Sequence, residues 1–138
     1  MNKLKKILII DDDRISTFLT KRIVDSCIMV ECSQTFYQSE LALLSLKKAL
    51  IEQTQLPDLI LLDINMPIMD GWDFINESRK IPNYKPIPIV ILSSSIYKED
   101  QDKSEFYSEI KGYLIKPLTL IQFNKIILQI FATESNAA

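Results

Sequence analysis

Acidic side chains stand directly after two apolar runs of the sequence. Asp11, Asp12 and Asp13 follow one run, and Asp63 follows another. Carboxylates brought close together repel one another, and a divalent cation with hard oxygen ligands removes that conflict. Mg²⁺ fits best, because it accepts one or two carboxylates and keeps its remaining octahedral positions for water and phosphate oxygens. If the fold brings the two runs together, the sequence predicts a magnesium site.

A hydroxyl group and an ammonium group follow two further apolar runs. Ser93 to Ser95 come after one run, and Lys116 with Pro117 comes after the last. A metal, a carboxylate nucleophile, a hydroxyl donor and a lysine are the parts that phosphoryl transfer needs, because its catalysis is mostly positioning and charge neutralisation. In this set Asp63 is the candidate for the residue that is phosphorylated.

Five short apolar runs alternate with segments of helical period, and these elements must position the polar groups. The third and fourth runs are nearly continuous Val, Ile and Leu, which is typical of strands buried on both faces of a parallel sheet. The five runs are KILII (6–10), IMVEC (28–32), DLILL (58–62), IPIVIL (87–92) and GYLI (112–115).

The intervals between the runs show apolar residues at roughly helical spacing. The last helix is the clearest, because Thr119 can cap it and four apolar residues form one stripe along it. The three sets are Ile15, Phe18, Leu19 and Ile23; Leu41, Leu44, Leu50 and Ile51; and Leu120, Phe123, Ile127 and Ile130.

Strand and helix alternating five times predict a doubly wound α/β fold, since right-handed crossovers place helices on both faces of a parallel sheet. Five strands favour the flavodoxin-like order 2-1-3-4-5 over a barrel. Strands 1 and 3 are then neighbours about 4.8 Å apart, so Asp63 and at least one residue of the acidic triplet should face each other across the crevice at the carboxyl ends.

Size and composition restrict the class of protein. A chain of 138 residues fits one domain, and 47% hydrophobic with 25% charged residues is ordinary for a globular protein. The net charge of -2 argues against a nucleic-acid binder held by bulk electrostatics. The apolar run near the N-terminus is too short for a signal peptide or a membrane span, so we expect a cytoplasmic protein without a membrane segment.

The sequence contains two cysteines and no histidine. A zinc site would lack its usual ligands, and a disulfide framework is implausible. We expect Cys27 and Cys32 to serve as small core residues. The missing histidine excludes His-based acid–base catalysis and Ser-His-Asp or Cys-His chemistry within this chain.

Four short motifs, IIDDD, LLDINMPIMDG, VILSSS and GYLIKP, occur in this order at four predicted strand ends. Together they resemble the receiver domain of two-component response regulators, of the stand-alone, chemotaxis-regulator-like kind. The resemblance spans roughly residues 4 to 133. We expect a single receiver domain over residues 1–138 with no output domain, and we expect the tail TESNAA (133–138) to fray.

The resemblance implies a role for each matching residue of the acidic site. Asp63 would be the phosphoacceptor and a metal ligand, Asp11 and Asp12 would be the acidic pair that serves Mg²⁺, and the backbone carbonyl of Asn65 would be a further metal ligand.

The resemblance also implies the residues that respond to the phosphoryl group. Ser93 would bond it, Lys116 would be its cationic partner, and Tyr113 would be the aromatic switch residue whose rotamer follows Ser93. The peptide bond between Lys116 and Pro117 would be cis.

In the implied function, a phosphohistidine of a histidine kinase or histidine phosphotransfer protein donates its phosphoryl group to Asp63 in a Mg²⁺-dependent reaction. The receiver would catalyse only its own phosphorylation and dephosphorylation. The signal would leave through the face of helix 4, strand 5 and helix 5 to an unidentified downstream protein, from a monomer or a phosphorylation-dependent dimer.

Two alternatives belong to other classes. A Mg²⁺-dependent phosphohydrolase of the haloacid-dehalogenase type wants a second Asp two residues after the nucleophile, where this chain has Asn65. A phosphorylation-independent, receiver-like interaction module would be marked by a missing Asp, Lys or hydroxyl residue, and none is missing here. Turnover of a generic phosphatase substrate favours the first alternative, and no phosphoryl uptake under any condition favours the second.

Overall fold

The computed structural model describes residues 2–132, in which five parallel strands alternate with five helices. The strands are β1 (Leu4–Ile10), β2 (Val30–Phe36), β3 (Leu59–Leu62), β4 (Ile89–Ser93) and β5 (Ile110–Ile115). The helices are α1 (Arg14–Ser26), α2 (Ser39–Glu52), α3 (Gly71–Ser78), α4 (Lys98–Ser104) and α5 (Leu120–Ile127), which a π-helical turn (Leu128–Ala132) continues.

The strands lie in the order β2-β1-β3-β4-β5, which confirms the predicted flavodoxin-like fold. The tail TESNAA, for which we predicted fraying, lies outside the described residues.

The register of the two central strands sets the level of the acidic residues. Ile10 pairs with Leu62, and the backbone N–H of Asp63 donates to the carbonyl of Ile10 at 2.9 Å. The residues that follow these strands, Asp11 and Asp63, therefore leave the sheet side by side at its carboxyl edge.

Two apolar cores cover the two faces of the sheet. One contains Leu8, Ile10, Ile60 and Leu62 with side chains of α2 and α3, and it includes fully buried Phe74. The other takes the alternate strand residues and packs them against α1 and α5. Fully burying one Leu, Ile or Phe side chain contributes about 1.5–3 kcal/mol, so the strands are held firmly between two layers of helices.

The structure confirms helix α1. Most of the apolar residues from which we predicted it are exposed, and other residues form its buried face. Ile15 and Phe18 are 75% and 62% exposed, whereas Thr17, Thr20 and Val24 are buried. Small β-branched residues let α1 lie close to the sheet, and the larger apolar side chains remain on the outside. The same holds for α2, where Leu41 and Leu44 are exposed and the buried apolar residues are Ala42, Leu43 and Leu46.

Helix α5 matches its sequence pattern closely. The Thr119 side chain accepts from the backbone N–H of Gln122, whose side chain accepts from the Thr119 N–H, which completes a capping box. Phe123 and Ile127 are fully buried as the stripe predicted. Within residues 2–132, no helix has the length and hydropathy needed to cross a membrane.

The prediction for the two cysteines is half wrong. Cys27 is buried and its thiol contacts the side-chain oxygen of Asn124 at 3.1 Å, as a core residue would. Cys32 is exposed, because it lies on β2, an edge strand with only one neighbour in the sheet.

A column of cationic and aromatic side chains joins α3 to α4 and to the turn before β5. Lys103 Nζ lies 4.8 Å from the ring of Trp72, which stacks on Tyr107 at 5.6 Å between centroids. Arg79 lies on the Tyr107 ring at 4.8 Å and donates two hydrogen bonds to the carboxylate of buried Glu109. Cations over aromatic rings and a two-point ion pair stabilise this contact between elements far apart in sequence.

We expect the Arg79–Glu109 pair to make stability depend on pH. Burial alone would raise the pKa of Glu109, but hydrogen bonds and nearby positive charge outweigh it, so the pKa lies below its usual 4.5. The stabilisation is therefore present above about pH 4.5 and is lost as the pH falls through the lowered value. Urea unfolding should show Glu109→Gln less stable than wild type by about 1–3 kcal/mol at neutral pH, with the difference shrinking in acid. Glu77→Gln, which removes the exposed pair with Lys80, is the control; a constant difference for Glu109→Gln at all pH values would contradict the expectation.

Gly71 begins α3 where the chain passes very close to the end of β3. A Cβ atom at this position would lie 2.7 Å from the backbone oxygen of Asp63 and 2.8 Å from Cα of Ile64. We expect Gly71→Ala to lower the free energy of unfolding by about 1–3 kcal/mol, because backbone atoms cannot move aside cheaply. Gly112→Ala is the matched control in urea unfolding, since its Cβ would meet side-chain atoms rather than backbone, and the one close contact would be the flexible end of Ile126. An equal or larger loss in Gly112→Ala would refute the explanation.

Ile68, in the loop between β3 and α3, has a φ of 69° and is 97% exposed. A β-branched residue in the left-handed region is strained by about 1–2 kcal/mol, whereas Asn tolerates this region. We expect Ile68→Asn to raise the free energy of unfolding by about 1 kcal/mol, because no buried contact is lost. Ile28→Asn, at a position that is 83% exposed and not among the described residues with positive φ, should leave stability nearly unchanged. No gain over that control in thermal or urea unfolding would show that the loop is unstrained.

Candidate functional site

Three carboxylates meet at the carboxyl edge of the sheet. Oxygen atoms of Asp11, Asp12 and Asp63 all lie within 4.8 Å of one another. Asp11 and Asp63 are buried, and Asp12 is exposed. The structure therefore brings together the acidic residues that the sequence placed at the ends of two neighbouring strands.

Asp13, the third residue of the acidic triplet, does a different job. Its side chain accepts hydrogen bonds from the backbone N–H groups of Ile15 and Ser16 and caps α1. Its own N–H donates to Asp11 Oδ1 at 2.9 Å, which helps to orient that carboxylate. The triplet thus divides into one cap and two site residues.

The Lys116 ammonium group bridges the two buried carboxylates. Nζ donates to Asp11 Oδ2 at 2.7 Å and to Asp63 Oδ2 at 2.9 Å. Lys116 follows β5, its backbone N–H donates to the carbonyl of Ser93 at 2.9 Å, and the peptide bond to Pro117 is cis. Strands β1, β3, β4 and β5 therefore all contribute to one compact site.

Burial and pairing alter the protonation of this site. Burial is the main cause that raises the pKa of Asp63, and it outweighs the opposing hydrogen bonds from Lys116 and the backbone of Asn65. Burial would lower the pKa of Lys116, but hydrogen bonds to Asp11 and Asp63 outweigh it and hold the pKa above 10.5. Lys116 therefore stays positively charged. The raised pKa of Asp63 means that its carboxylate binds a proton more readily, and a second cation at the site would reduce this proton affinity.

The loop after β3 fixes the orientation of the Asp63 carboxylate. The backbone N–H of Asn65 donates to Asp63 Oδ1 at 3.0 Å, while Lys116 binds the other oxygen. The loop ends at Asp70, whose side chain caps α3 in a capping box with Asp73. The predicted turn and helix start at Asp70 and Gly71 are therefore present.

Ser93, at the end of β4, is fully buried beside this loop. Its Oγ accepts from the backbone N–H of Ser95 at 3.1 Å and lies 3.5 Å from Nδ2 of Asn65. On the neighbouring strand β5, the hydroxyl of half-buried Tyr113 donates to the carbonyl of Ser95 at 3.0 Å. Tyr113 thus points toward the β4–α4 loop, which begins just after Ser93.

One contact beside the site did not follow from the sequence motifs. The Ser95 hydroxyl donates to Asp100 Oδ2 at 2.5 Å, although Asp100 belongs to the first turn of α4. The only sequence signal was a carboxylate five residues after the serine, in the acidic segment Lys98 to Asp102, and such segments are usually solvated helix faces.

The donor set fits a hard divalent cation. Three carboxylates supply oxygen ligands, two of them buried, and a single ammonium group leaves their combined negative charge incompletely balanced. Mg²⁺ and Mn²⁺ suit such oxygen ligands. Asp11, Asp12 and Asp63 are the side chains that would hold the ion.

The described geometry supports phosphoryl chemistry. Asp63 supplies a fixed carboxylate oxygen, Lys116 a permanent positive charge, and Ser93 a hydroxyl group, all at one rim of the sheet. Groups held in place that neutralise charge are what a phosphoryl transition state requires.

Comparison with known proteins identifies the family. Residues 7–128 match the family model of the response regulator receiver domain. Among curated proteins, response regulator Rcp1 of Synechocystis is 27% identical over 128 residues, which cover 91% of this chain and 86% of Rcp1. The sensor histidine kinase CheAY of Helicobacter pylori is 38% identical over 63 residues, which cover 46% of this chain and 8% of that kinase.

Solved structures agree in fold. The crystal structure of a two-component response regulator from Cytophaga hutchinsonii has a TM-score of 0.84 and 30% identity, covering 95% of this chain and 99% of that one. The Mn²⁺-bound form of Rcp1 has a TM-score of 0.69 and 26% identity, covering 93% and 94% of the two chains. With its family match spanning most of its length, the chain belongs to the response regulator receiver domain family.

Proposed function

We propose that this receiver takes a phosphoryl group from a phosphohistidine of a histidine kinase or phosphotransfer protein onto Asp63, in a Mg²⁺-dependent reaction. The observation that supports this most is the shared lysine: Nζ of Lys116 binds the candidate nucleophile Asp63 and the neighbouring acid Asp11 at once. A phosphohistidine donor suits a chain that contains no histidine of its own.

In the proposed step, a carboxylate oxygen of Asp63 forms a bond to phosphorus as the bond between phosphorus and the donor imidazole nitrogen breaks. The electron pair of that bond stays on the nitrogen, and the product is an acyl phosphate on Asp63 with a free histidine on the donor. Hydrolysis of the acyl phosphate by water then returns the carboxylate and inorganic phosphate.

The residues around Asp63 each have one task in this step. Lys116 is already within hydrogen-bond reach of the carboxylate and neutralises the charge that the phosphoryl group brings. Ser93 supplies a hydroxyl group that can donate to a phosphoryl oxygen. A Mg²⁺ ion held by Asp11, Asp12 and Asp63, with the backbone carbonyl of Asn65, would neutralise phosphoryl charge and offset the repulsion among the carboxylates.

The surface next to Lys116 supports a protein as the donor. A cleft of about 660 Å³ lies between α1 and the segment from Lys116 to Leu118, and its lining includes Ile15 and Leu19. Both of these side chains are more than half exposed. Exposed apolar side chains beside a reactive group are a common mark of a protein-binding surface.

Output through the face of α4, β5 and α5 remains part of the proposal. Tyr113 on β5 and the β4–α4 loop connect this face to the phosphorylation site. Ile96, Tyr97, Phe106 and Ile121 are exposed on these helices or the adjoining turns. A change at Ser93 and Tyr113 would therefore reach apolar surface that a partner protein can bind.

The central test is intact-protein mass after incubation with acetyl phosphate and Mg²⁺. We expect a labile gain of one phosphoryl group in the wild type, because the site positions the carboxylate and neutralises the incoming charge. The gain should vanish in Asp63→Asn and without Mg²⁺. Asp25→Asn, which changes an exposed aspartate of α1, is the matched control and should be phosphorylated normally.

A gain in mass that persists in Asp63→Asn would place the phosphoryl group elsewhere and defeat the proposal. No gain in the wild type, either with acetyl phosphate or with a phosphorylated histidine protein, would favour a binding module that works without phosphorylation.

A further inference from the structure

Ser95 is the point where the β4–α4 loop, strand β5 and helix α4 are tied together. Its N–H donates to Ser93 Oγ at 3.1 Å, and its carbonyl accepts from the Tyr113 hydroxyl at 3.0 Å. Its own hydroxyl donates to Asp100 Oδ2 at 2.5 Å. The residue is buried, at 8% exposure, so water competes weakly for these bonds.

As Tyr113 ties this point to β5, the bond to Asp100 ties it to α4. It is a hydrogen bond to a charged acceptor, which is stronger than one between neutral groups. Helix α4 has no side-chain hydrogen bond from its N-cap residue Tyr97, and the Tyr97 N–H is instead 3.4 Å from the Ser95 Oγ. The start of α4 and the loop before it are therefore fastened through one serine and one carboxylate.

The fastening determines where the Ser95 carbonyl points. If the loop rotated and the bond between Ser95 and Asp100 broke, two other groups of Ser95 would move as well. These are the carbonyl that accepts from Tyr113 and the N–H that donates to Ser93. Partial burial raises the pKa of Tyr113 above 10.0 in spite of the opposing hydrogen bond to Ser95, and the charges of Asp100 and Asp63 add to this rise. The hydroxyl of Tyr113 thus lies close enough to Asp100 and Asp63 to be affected by their charges.

We propose that Asp100 is a positioning residue: acting through Ser95, it holds Tyr113 turned toward the β4–α4 loop before any phosphoryl group is present. The consequence for phosphorylation rests on the proposed function of Asp63. Because Ser95 also orients the Ser93 hydroxyl, loss of Asp100 should slow phosphoryl uptake as well as free Tyr113.

The first measurement uses the unphosphorylated full chain and therefore does not depend on phosphorylation. Three-bond NMR couplings from the backbone nitrogen and carbonyl carbon of Tyr113 to its Cγ report the χ1 rotamer. Wild type should show one rotamer, while Asp100→Ala and Ser95→Ala should show averaged couplings, with the population ratio changed by about tenfold for the loss of one charge-assisted hydrogen bond. Asp100→Asn keeps an oxygen acceptor and should fall between wild type and Asp100→Ala.

Glu99→Ala is the matched control, because Glu99 is the other carboxylate in the first turn of α4 and makes no bond to Ser95 among the described contacts. It reproduces any loosening of the helix that comes from losing an acidic residue there. Couplings of Tyr113 that are the same in Asp100→Ala as in wild type, or that change equally in Glu99→Ala, would overturn the proposal.

The second measurement is the rate of mass gain with acetyl phosphate and Mg²⁺. Asp100→Ala should be phosphorylated several-fold more slowly than Glu99→Ala, and equal rates would overturn the link to phosphorylation. If the wild type takes up no phosphoryl group while the couplings still change as expected, the proposed function fails and the positioning role of Asp100 stands.

Discussion

A single ammonium group shared by two buried carboxylates is the interaction around which this molecule is arranged. Lys116 must reach Asp11 and Asp63 together, and these three residues follow three different strands. Burying the two carboxylates without a cation would cost several kcal/mol for each charge. The ends of the three strands must therefore be held at one level, so that Lys116 keeps both ion pairs. The third carboxylate, Asp12, leaves negative charge that the lysine does not balance. The site is thus poised to accept further positive charge.

The parallel sheet meets this demand because every strand points its carboxyl end to the same edge. Pairing of β1 with β3 puts Asp11 beside Asp63, and the path through β4 brings Ser93 and then Lys116 to the same rim. The cores on both faces keep these strands from sliding. Among the described residues, three non-glycine residues adopt a positive φ, Gln53, Ile68 and Asn83, and of these Ile68 lies at the rim, in the loop after Asp63. Rigid strands therefore support a site made almost entirely of loop residues.

Sequence reasoning predicted the order of the strands and the meeting of the polar residues at one edge of the sheet, because both follow from local sequence patterns. Four strand ends carry their polar residues immediately after an apolar run, and Thr119 with Gln122 forms a visible capping signal. The pattern was less informative where burial depends on neighbours distant in sequence. The outward side chains of α1 look like a core stripe, and β2 continues through polar residues to Phe36 because it lies at the edge of the sheet. The Ser95–Asp100 bond and the Arg79–Glu109 pair likewise depend on contacts in the folded structure that residue spacing in the sequence does not predict.

The column of Lys103, Trp72, Tyr107 and Arg79 has a practical consequence. Trp72 is the only tryptophan in the chain, and it lies between an ammonium group of α4 and a tyrosine of the turn before β5. Indole emission is sensitive to a nearby charge and to a stacked ring. Intrinsic fluorescence of the unlabelled protein therefore reports on the packing of α3 against the α4–β5 side, and the chain carries its own optical probe of that contact.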